Sequence, residues 1–336
     1  APQEARKLFP AGHPRVDLTR PQLRGFYEPD VKRLREKYGR FLLVNTNFPL
    51  CNHFHGEDGV FRLFVESGKI LDQPLETFYR NLQRFQQQLM EHFSDMIARL
   101  HERFPDKTII VRPHPSENHD AWRQRLAAHQ RVAVVHEGNI IPWLMAADAT
   151  IHNSCMTGIE GYLLERPVFA FRPIQAPELE NYLANALSEQ VLSVEALIER
   201  LDQLGGGQPL EPDAEKRALA ERYIVSLDAP LSCDRIIATL TQMSFKEHPL
   251  RTAFFRSGKR AKRWLRTSLM SRSAALPTHA PTPSCAGYQA QKFPDTPLED
   301  VQEAVARLQQ LTGRFAGMRV ARIESNLFRL TAHDVH

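Results

Sequence analysis

The chain has 336 residues, enough by size for about two domains, and its 42% apolar and 24% charged content is ordinary for a soluble globular protein. A net charge of +4 does not by itself point to nucleic acid, and the scattered Cys51, Cys155, Cys233 and Cys285 form neither a zinc pattern nor a disulfide framework. No apolar run approaches the ~20 residues needed to span a bilayer. The opening Ala-Pro-Gln-Glu-Ala-Arg-Lys has no apolar core, so no signal peptide is expected and a reducing cytoplasm fits.

Residues 1–27, rich in proline (Pro2, Pro10, Pro14, Pro21) and charge, read as an extended lead-in beginning at a linker. Glu28 to Gly39 reads as a helix, with Pro29 in its first turn and Gly39 at its stop. Arg40 to Thr46 reads as a buried parallel strand. The loop after it carries Asn45, Thr46, Asn47, Asn52, His53, His55, Glu57 and Asp58, which suits a ligand-facing edge or, more plainly, a solvated turn. Pro74 to Phe104 is a long helix whose Leu75, Phe78, Leu82, Phe85, Leu89, Phe93, Ile97 and Leu100 recur at steps of three or four.

Strands and helices then alternate: strands at 108–111, 131–135, 149–152 and 167–171, helices at 118–129, 140–147, 157–165 and 177–188. Short links and strict alternation predict an α/β fold, a Rossmann-like doubly wound parallel sheet, with a helical C-terminal extension. Helices follow at 193–204, 213–226 and 230–243. Residues 246–272 are strongly basic, 273–297 read as a flexible linker, and 298–336 hold a helix to Leu311 and one strand-like run, Arg319 to Leu330. The main domain is therefore expected over 28–245.

Two loops carry the chemistry. Arg112-Pro113-His114-Pro115-Ser116-Glu117 follows one strand, and His152-Asn153-Ser154-Cys155-Met156-Thr157-Gly158-Ile159-Glu160 follows another. In a parallel sheet both open at the carboxyl edge, where such sheets bind ligands. Prolines stiffen the first loop, so a protonated His114 would stabilise charge on a leaving phosphate. The alternative is a histidine that caps the next helix. In the second loop, Ser154, Thr157 and Gly158 fall at a helix start, where free N–H groups favour an anion. Gly158 would admit a ligand to the backbone and Glu160 would reach a ribose hydroxyl. The alternative is an ordinary N-cap by Ser154 or Thr157.

His-Pro at 114–115 and the Ser/Thr-Gly element at 154–158 resemble the paired motifs of GT-B glycosyltransferases that use CMP-activated acidic sugars, the bacterial sialyltransferases and Kdo transferases. RPHPSE (112–117), HNSCMTGIEGYLLERPV (152–168), GHPRVDLTRP (12–21), FLLVNTNFPLCNHF (41–54) and ESNLFRLT (324–331) resemble a family of surface carbohydrate biosynthesis proteins. The resemblance implies that 28–245 is a nucleotide-sugar-binding domain. It assigns nucleotide phosphate and ribose to His114, Pro115, Ser154 and Thr157, with Arg112, Ser116, Asn153, Gly158 and Glu160 beside them. It places the base near Glu137 to Ile140, at Gly138 and Asn139. It implies transfer to a glycan acceptor without metal or added cofactor, and no Asp-x-Asp motif is present.

A GT-B enzyme has two such domains, so an N-terminal half is expected as a further partner. No nucleophile or base is assigned. Asp58 and Glu57 are candidates because they follow the first strand, with solvated loop carboxylates as the alternative. Arg251, Arg256, Lys259, Arg260, Lys262, Arg263 and Arg266 interleave with Phe254, Phe255, Trp264, Leu265 and Leu269. This stretch, Arg251 to Leu269, suits docking on an anionic membrane. No nucleic-acid motif accompanies the charge. Rival readings are a non-catalytic module that recruits an assembly complex to the membrane and a nucleotide-sugar epimerase-like enzyme.

Overall fold

A computed structural model describes residues 9–204, 213–225, 227–228, 230–243 and 285–332. The basic stretch 246–272, including Arg251 to Leu269, lies outside the described residues, as do residues 273–284 of the linker expected at 273–297.

Six short strands form one parallel sheet: β1 (Phe41–Asn45), β2 (Thr108–Arg112), β3 (Val132–Val134), β4 (Ala149–His152), β5 (Val168–Phe171) and β6 (Glu189–Val191). Their order is β3-β2-β1-β4-β5-β6. The chain winds outward from β1 to β3, then returns to the other side of β1 to place β4. The crevice between β1 and β4 is therefore the topological switch point of a Rossmann-like sheet. Asn45 ends β1 opposite both Arg112 and His152, so the two sequence-marked loops leave the sheet on either side of it.

Side-chain alternation assigns the two faces. Leu42, Val44, Ile109, Val111, Ala149, Ile151, Phe169 and Phe171 meet α4 (Gln73–Arg103) and α9 (Val194–Gln203) in one core. Phe41, Leu43 and Ile110 meet α2 (Glu28–Tyr38) and α6 (Ile140–Ala146) in the other. Helix α4 starts at Asp72, whose side chain accepts the Leu75 N–H at 2.9 Å, a standard N-cap. Only the C-terminal part of its apolar stripe reaches the sheet. Leu89, Phe93, Ile97 and Leu100 are buried, whereas Phe78 is 41% exposed. Its earlier turns pack instead on α3 (Glu57–Glu66), where Tyr79 and Leu82 meet Val60 and Phe61.

The remaining helices on the sheet are α5 (His119–Arg125), α7 (Thr157–Leu163) and α8 (Tyr182–Leu187); α10 (Ala214–Tyr223) and α11 (Ser232–Gln242) follow α9. Five elements differ from the sequence expectation: α3 forms where a loop was expected, a helix at Cys285–Lys292 forms inside the stretch read as a flexible linker, and three more follow. Strand β6 was not expected, because Glu-Gln-Val is short and polar; it is held as the sheet edge through pairing with β5. The run at 319–330 is a hairpin of β7 (Arg319–Glu324) and β8 (Leu327–Thr331), turned through Asn326 at positive φ. The lead-in is not extended from Pro14 onward. It forms α1 (Pro14–Asp17) and a 3-10 helix, Pro21–Tyr27. The Asp17 carboxylate is buried, paired with Arg20, and accepts the Ser232 and Cys233 N–H groups at 2.9 and 3.1 Å, which caps α11 from the other end of the domain.

The C-terminal extension contains α12 (Cys285–Lys292) and α13 (Leu298–Thr312). Arg307 ties α13 to the 3-10 helix and α2, through Phe26 O at 3.1 Å and Asp30 at 2.5 Å. Among the described residues, no helix is long and apolar enough to cross a membrane.

Phe93 is fully buried and meets Phe48 and Phe171 edge to face at 5.4 Å each. Phe93→Ala should lower unfolding stability by about 3–5 kcal/mol in urea titration. A loss below about 1 kcal/mol would show that α4 does not anchor the sheet.

Candidate functional site

The 112–117 loop is fixed through its backbone. All six of its carbonyls accept a hydrogen bond: Arg112 O from Thr46 N, Pro113 O from His136 Nδ1, His114 O from Glu117 N and His119 Nε2, Pro115 O and Glu117 O from Gln291 Nε2, and Ser116 O from Phe54 N. Because a carbonyl only accepts, His119 carries its proton on Nε2 and His136 on Nδ1.

Glu117 organises this region, a role the sequence did not signal. Its carboxylate is fully buried and takes five donors: Thr46 Oγ1, Phe48 N and His114 N on one oxygen at 2.9 to 3.1 Å, and Asn52 Nδ2 (3.3 Å) and Trp122 Nε1 (2.8 Å) on the other. Burial pushes its pKa up, while the donors from Trp122, Phe48, His114 and Thr46 pull against that.

His114 is half-buried. Its Nδ1 accepts the Ser116 N–H at 3.1 Å, so a neutral ring carries its proton on Nε2. Burial, with Lys292 and His119 nearby, lowers its pKa to about 4. The protonated His114 expected from sequence is thus replaced by a neutral ring in the free protein. Its Nε2–H is a donor with no protein partner among the described residues. His53 is similar: buried, its Nδ1 accepting the His55 N–H at 3.0 Å, its pKa lowered to about 4.

Arg112 faces inward rather than toward the cleft. Its guanidinium grips Glu137 O and Gly138 O, each at 2.7 Å, and burial lowers its pKa to about 10. It therefore positions the β3–α6 loop, where Gly138 adopts positive φ and the Asn139 side chain caps α6 through Ile141 N. Pro115 contributes its carbonyl, and the Ser116 hydroxyl accepts a 3.0 Å bond from Tyr288 OH.

The second loop is occupied largely by its own contacts. His152 is fully buried at the end of β4. Its Nδ1 accepts the Cys155 N–H (3.2 Å), so Nε2 donates to Ser188 Oγ (2.8 Å), which in turn donates to Ala184 O (2.8 Å). Burial pushes its pKa down to about 3. The N–H groups of Gly158, Ile159 and Glu160 bond back to Cys155 O and Met156 O, so they are not the free donors expected at this helix start. Neither Ser154 nor Thr157 caps α7, whose N-cap is Met156 without a side-chain bond. Ser154, at φ +51°, exchanges hydrogen bonds with Asn185 instead. A Cβ on Gly158 would lie 2.5 Å from His152 Nε2, so this glycine makes room for an imidazole rather than for a ligand.

Asn153 bridges the switch point by donating to Asn47 O at 3.1 Å. Its Oδ1, both polar atoms of Asn45, and Glu160 Oε2 are buried without a hydrogen-bond partner among the described residues. Thr157 Oγ1 is buried likewise, with only the Cys155 thiol beside it. Glu160 forms an ion pair with Arg15 of the lead-in, which directs it to α1. Asp58 lies in the first turn of α3, and its side chain is outside the described residues. The structure thus brings His114, Ser116, Asn45 and Asn153 to the carboxyl edge. It turns Arg112, Gly158 and Glu160 to packing, keeps His53 of the β1–α3 loop at that edge, and adds Glu117 and the C-terminal Tyr288. Among the described residues no group of His, Cys, Asp and Glu is arranged to hold a metal.

Gly158→Ala gains up to about 1 kcal/mol of helix propensity but must displace a ring pinned at both nitrogens. The expected outcome is a net loss of about 1–2 kcal/mol in thermal unfolding; a variant as stable as wild type would rule out the wedge. Stability should also depend on pH. His53, His114, His136 and His152 have folded values of about 3 to 4 against an ordinary 6.5, so the unfolded chain takes up those protons first. Their contribution is complete above 6.5 and is lost as pH falls from there toward 4. Glu117 and Glu160, raised by burial, act in the opposite sense from about 4.5 upward. Four histidines outweigh two carboxylates, so the urea midpoint should drop between pH 6.5 and 5. A flat profile there would contradict neutral buried rings.

No family model and no curated protein matches the chain. Among solved structures it is similar to UDP-GlcNAc 2-epimerase of Methanocaldococcus jannaschii. One such structure, in complex with UDP-GlcNAc and UDP, has a TM-score of 0.38 and 15% identity; another has 0.39 and 16%. In both cases the match covers 71% of this chain and 56% of the other, so the chain spans little more than half the length of these proteins. A TM-score below 0.5 transfers no role to any residue.

Proposed function

We propose that this chain is the donor-binding half of a GT-B glycosyltransferase of bacterial surface polysaccharide assembly. In this reading it holds a nucleotide sugar, a CMP-linked acidic sugar, while the sugar passes to a glycan acceptor bound with a separate N-terminal half. The observation that carries the reading is the unshared Nε2–H of His114, on a loop whose every carbonyl is fixed, beside the switch point of a Rossmann-ordered sheet. Open α/β sheets bind ligands at that crevice.

The chemistry follows from the tautomer. A neutral imidazole donates one hydrogen bond to a phosphate oxygen. As the glycosidic bond breaks, negative charge grows on the phosphate and that bond strengthens, so the interaction favours the transition state over the ground state. The approaching anion also raises the affinity of His114 for a proton, which opposes the burial that keeps it neutral. Buried polar atoms without partners are rare in folded proteins and concentrate where function needs them. Asn45 and Asn153 meet that description at the switch point, where a ribose would lie. Asp58 as a catalytic carboxylate, and a membrane-docked basic stretch at Arg251 to Leu269, belong to the same proposal.

Calorimetric titration of the chain with CMP tests it. Wild type should bind, and His114→Ala should bind roughly tenfold or more weakly, the value of one hydrogen bond to a charged group. Equal binding by both would remove His114 from the site. Conversion of a nucleotide sugar in the absence of any acceptor would place the chain among epimerase-like enzymes instead.

A further inference from the structure

Helix α12 comes from the far end of the chain and lies on the His114 loop. Gln291 Nε2 donates to both Pro115 O and Glu117 O at 2.8 Å, and Tyr288 OH donates to Ser116 Oγ at 3.0 Å. The Tyr288 ring closes on the β1–α3 loop, with centroids 5.5 Å from His53, 5.5 Å from Phe54 and 4.7 Å from His55. Tyr288 and Lys292 are four residues apart and so share a helix face. That face carries the Lys292 ammonium to within electrostatic reach of His53 and His114, whose charging it opposes.

This corner is one-sided in charge. Lys292 lies near the rings of His53 and His114, and the Tyr288 ring beneath its ammonium packs on His55. Lys292 makes no ion pair with a carboxylate among the described residues; its contacts there are with the Tyr288 and Phe293 rings. The nearest acid on the loop is Glu117, which is fully buried and saturated by its five donors. A cation beside two imidazoles, with no accessible carboxylate paired to it among the described residues, is suited to an anion. The imidazoles supply N–H donors, the ammonium supplies charge, and Tyr288 supplies a rigid wall.

We propose that α12 completes a phosphoryl-binding site, in which Lys292 pairs with a phosphate oxygen while the His114 Nε2–H bonds another, and Tyr288 orients both loops. The assignment deepens the reading of the 112–117 loop as the phosphate-holding loop, and rests on it. It makes the C-terminal extension part of the ligand site rather than an appendage. Lys292 is then a binding residue, and Tyr288 and Gln291 are positioning residues.

The test uses the full chain with three probes, inorganic pyrophosphate, CMP and cytidine, and with Lys292→Met and Lys292→Arg variants. Binding is measured by calorimetry, and proton resonances of the histidine rings are followed by NMR. Pyrophosphate and CMP should bind wild type and shift the His114 and His55 ring signals, and cytidine should bind more weakly than CMP. Lys292→Met should weaken pyrophosphate and CMP roughly tenfold, with cytidine unchanged and the thermal midpoint preserved; Lys292→Arg should restore most of the loss. Should pyrophosphate bind with this Lys292 dependence while CMP adds nothing, the phosphoryl site stands and the nucleotide reading falls. Should CMP binding need His114 but be indifferent to Lys292→Met, the nucleotide reading stands and this inference falls. Pyrophosphate that shifts no histidine signal also overturns it. Tyr288→Phe, which keeps the ring and removes the hydroxyl, should leave the fold intact and weaken pyrophosphate less than Lys292→Met does; a larger effect would transfer the anion contact to Tyr288.

Discussion

A carboxylate sealed from water, Glu117, accepts five hydrogen bonds, and the carboxyl edge of the sheet depends on it. Its donors come from the loop after β1 (Thr46, Phe48, Asn52), from its own loop (His114) and from α5 (Trp122). One side chain thus joins three segments, alongside the backbone bonds from Thr46 N to Arg112 O, Phe54 N to Ser116 O and Asn118 N to Asn52 O. A lone buried carboxylate would be strongly unfavourable, and each of these donors would be costly if left unpaired. The two penalties cancel only when all six groups are in place. The loops after β1 and β2 are therefore cooperative, and His114 inherits a fixed direction from that cooperation.

The other side of the switch point is stabilised differently. There the constraint is a fully buried neutral His152, whose two nitrogens are spoken for by Cys155 N–H and Ser188 Oγ. The ring occupies the space that a side chain at 158 would need, and it ties β4 to α7 and α8. Between these two rigid margins lie Asn45 and Asn153, with polar atoms that the protein itself does not satisfy. Satisfied groups frame the crevice and unsatisfied ones line it.

How much of this was legible in the sequence follows the range of the interactions. Strand–helix alternation is local, and it gave the parallel sheet, five of its six strands and the edge at which both loops open. The exception, β6, is short and polar and exists only because β5 offers a partner. Strand order is not local, so the switch point between β1 and β4 could not be read. Side-chain direction is not local either. Arg112, Gly158 and Glu160 looked like ligand residues because their types suit anions, close approach and ribose. Their actual partners, Glu137 O, His152 and Arg15, lie 25, 6 and 145 positions away along the chain. Glu117 was invisible for the converse reason: an acid at the end of a proline-rich loop resembles any solvated residue until its five donors arrive from elsewhere. His152, adjacent to three polar residues, gave no sign that it was core.

The arrangement of the His114 loop carries a consequence for how a site of this kind acts. Every backbone acceptor from Arg112 to Glu117 is already engaged, two of them by Gln291 from the C-terminal extension. A ligand meeting this loop finds no carbonyl to compete for and no slack to take up; it meets a side-chain donor held in one orientation. The ordering entropy of the loop is settled on folding rather than on binding, so contact with an anion is not diluted by reorganisation. The same economy makes the loop depend on residues some 170 positions distant. If the extension were displaced, Pro115 O and Glu117 O would lose their partner and the Ser116 hydroxyl its donor together. Three polar groups of the loop that carries His114 would then need new partners even though nothing in its own strand had changed. Helix α12 is accordingly part of what fixes the 112–117 loop, and the backbone acceptors of that loop are all engaged only when the C-terminal helix is seated.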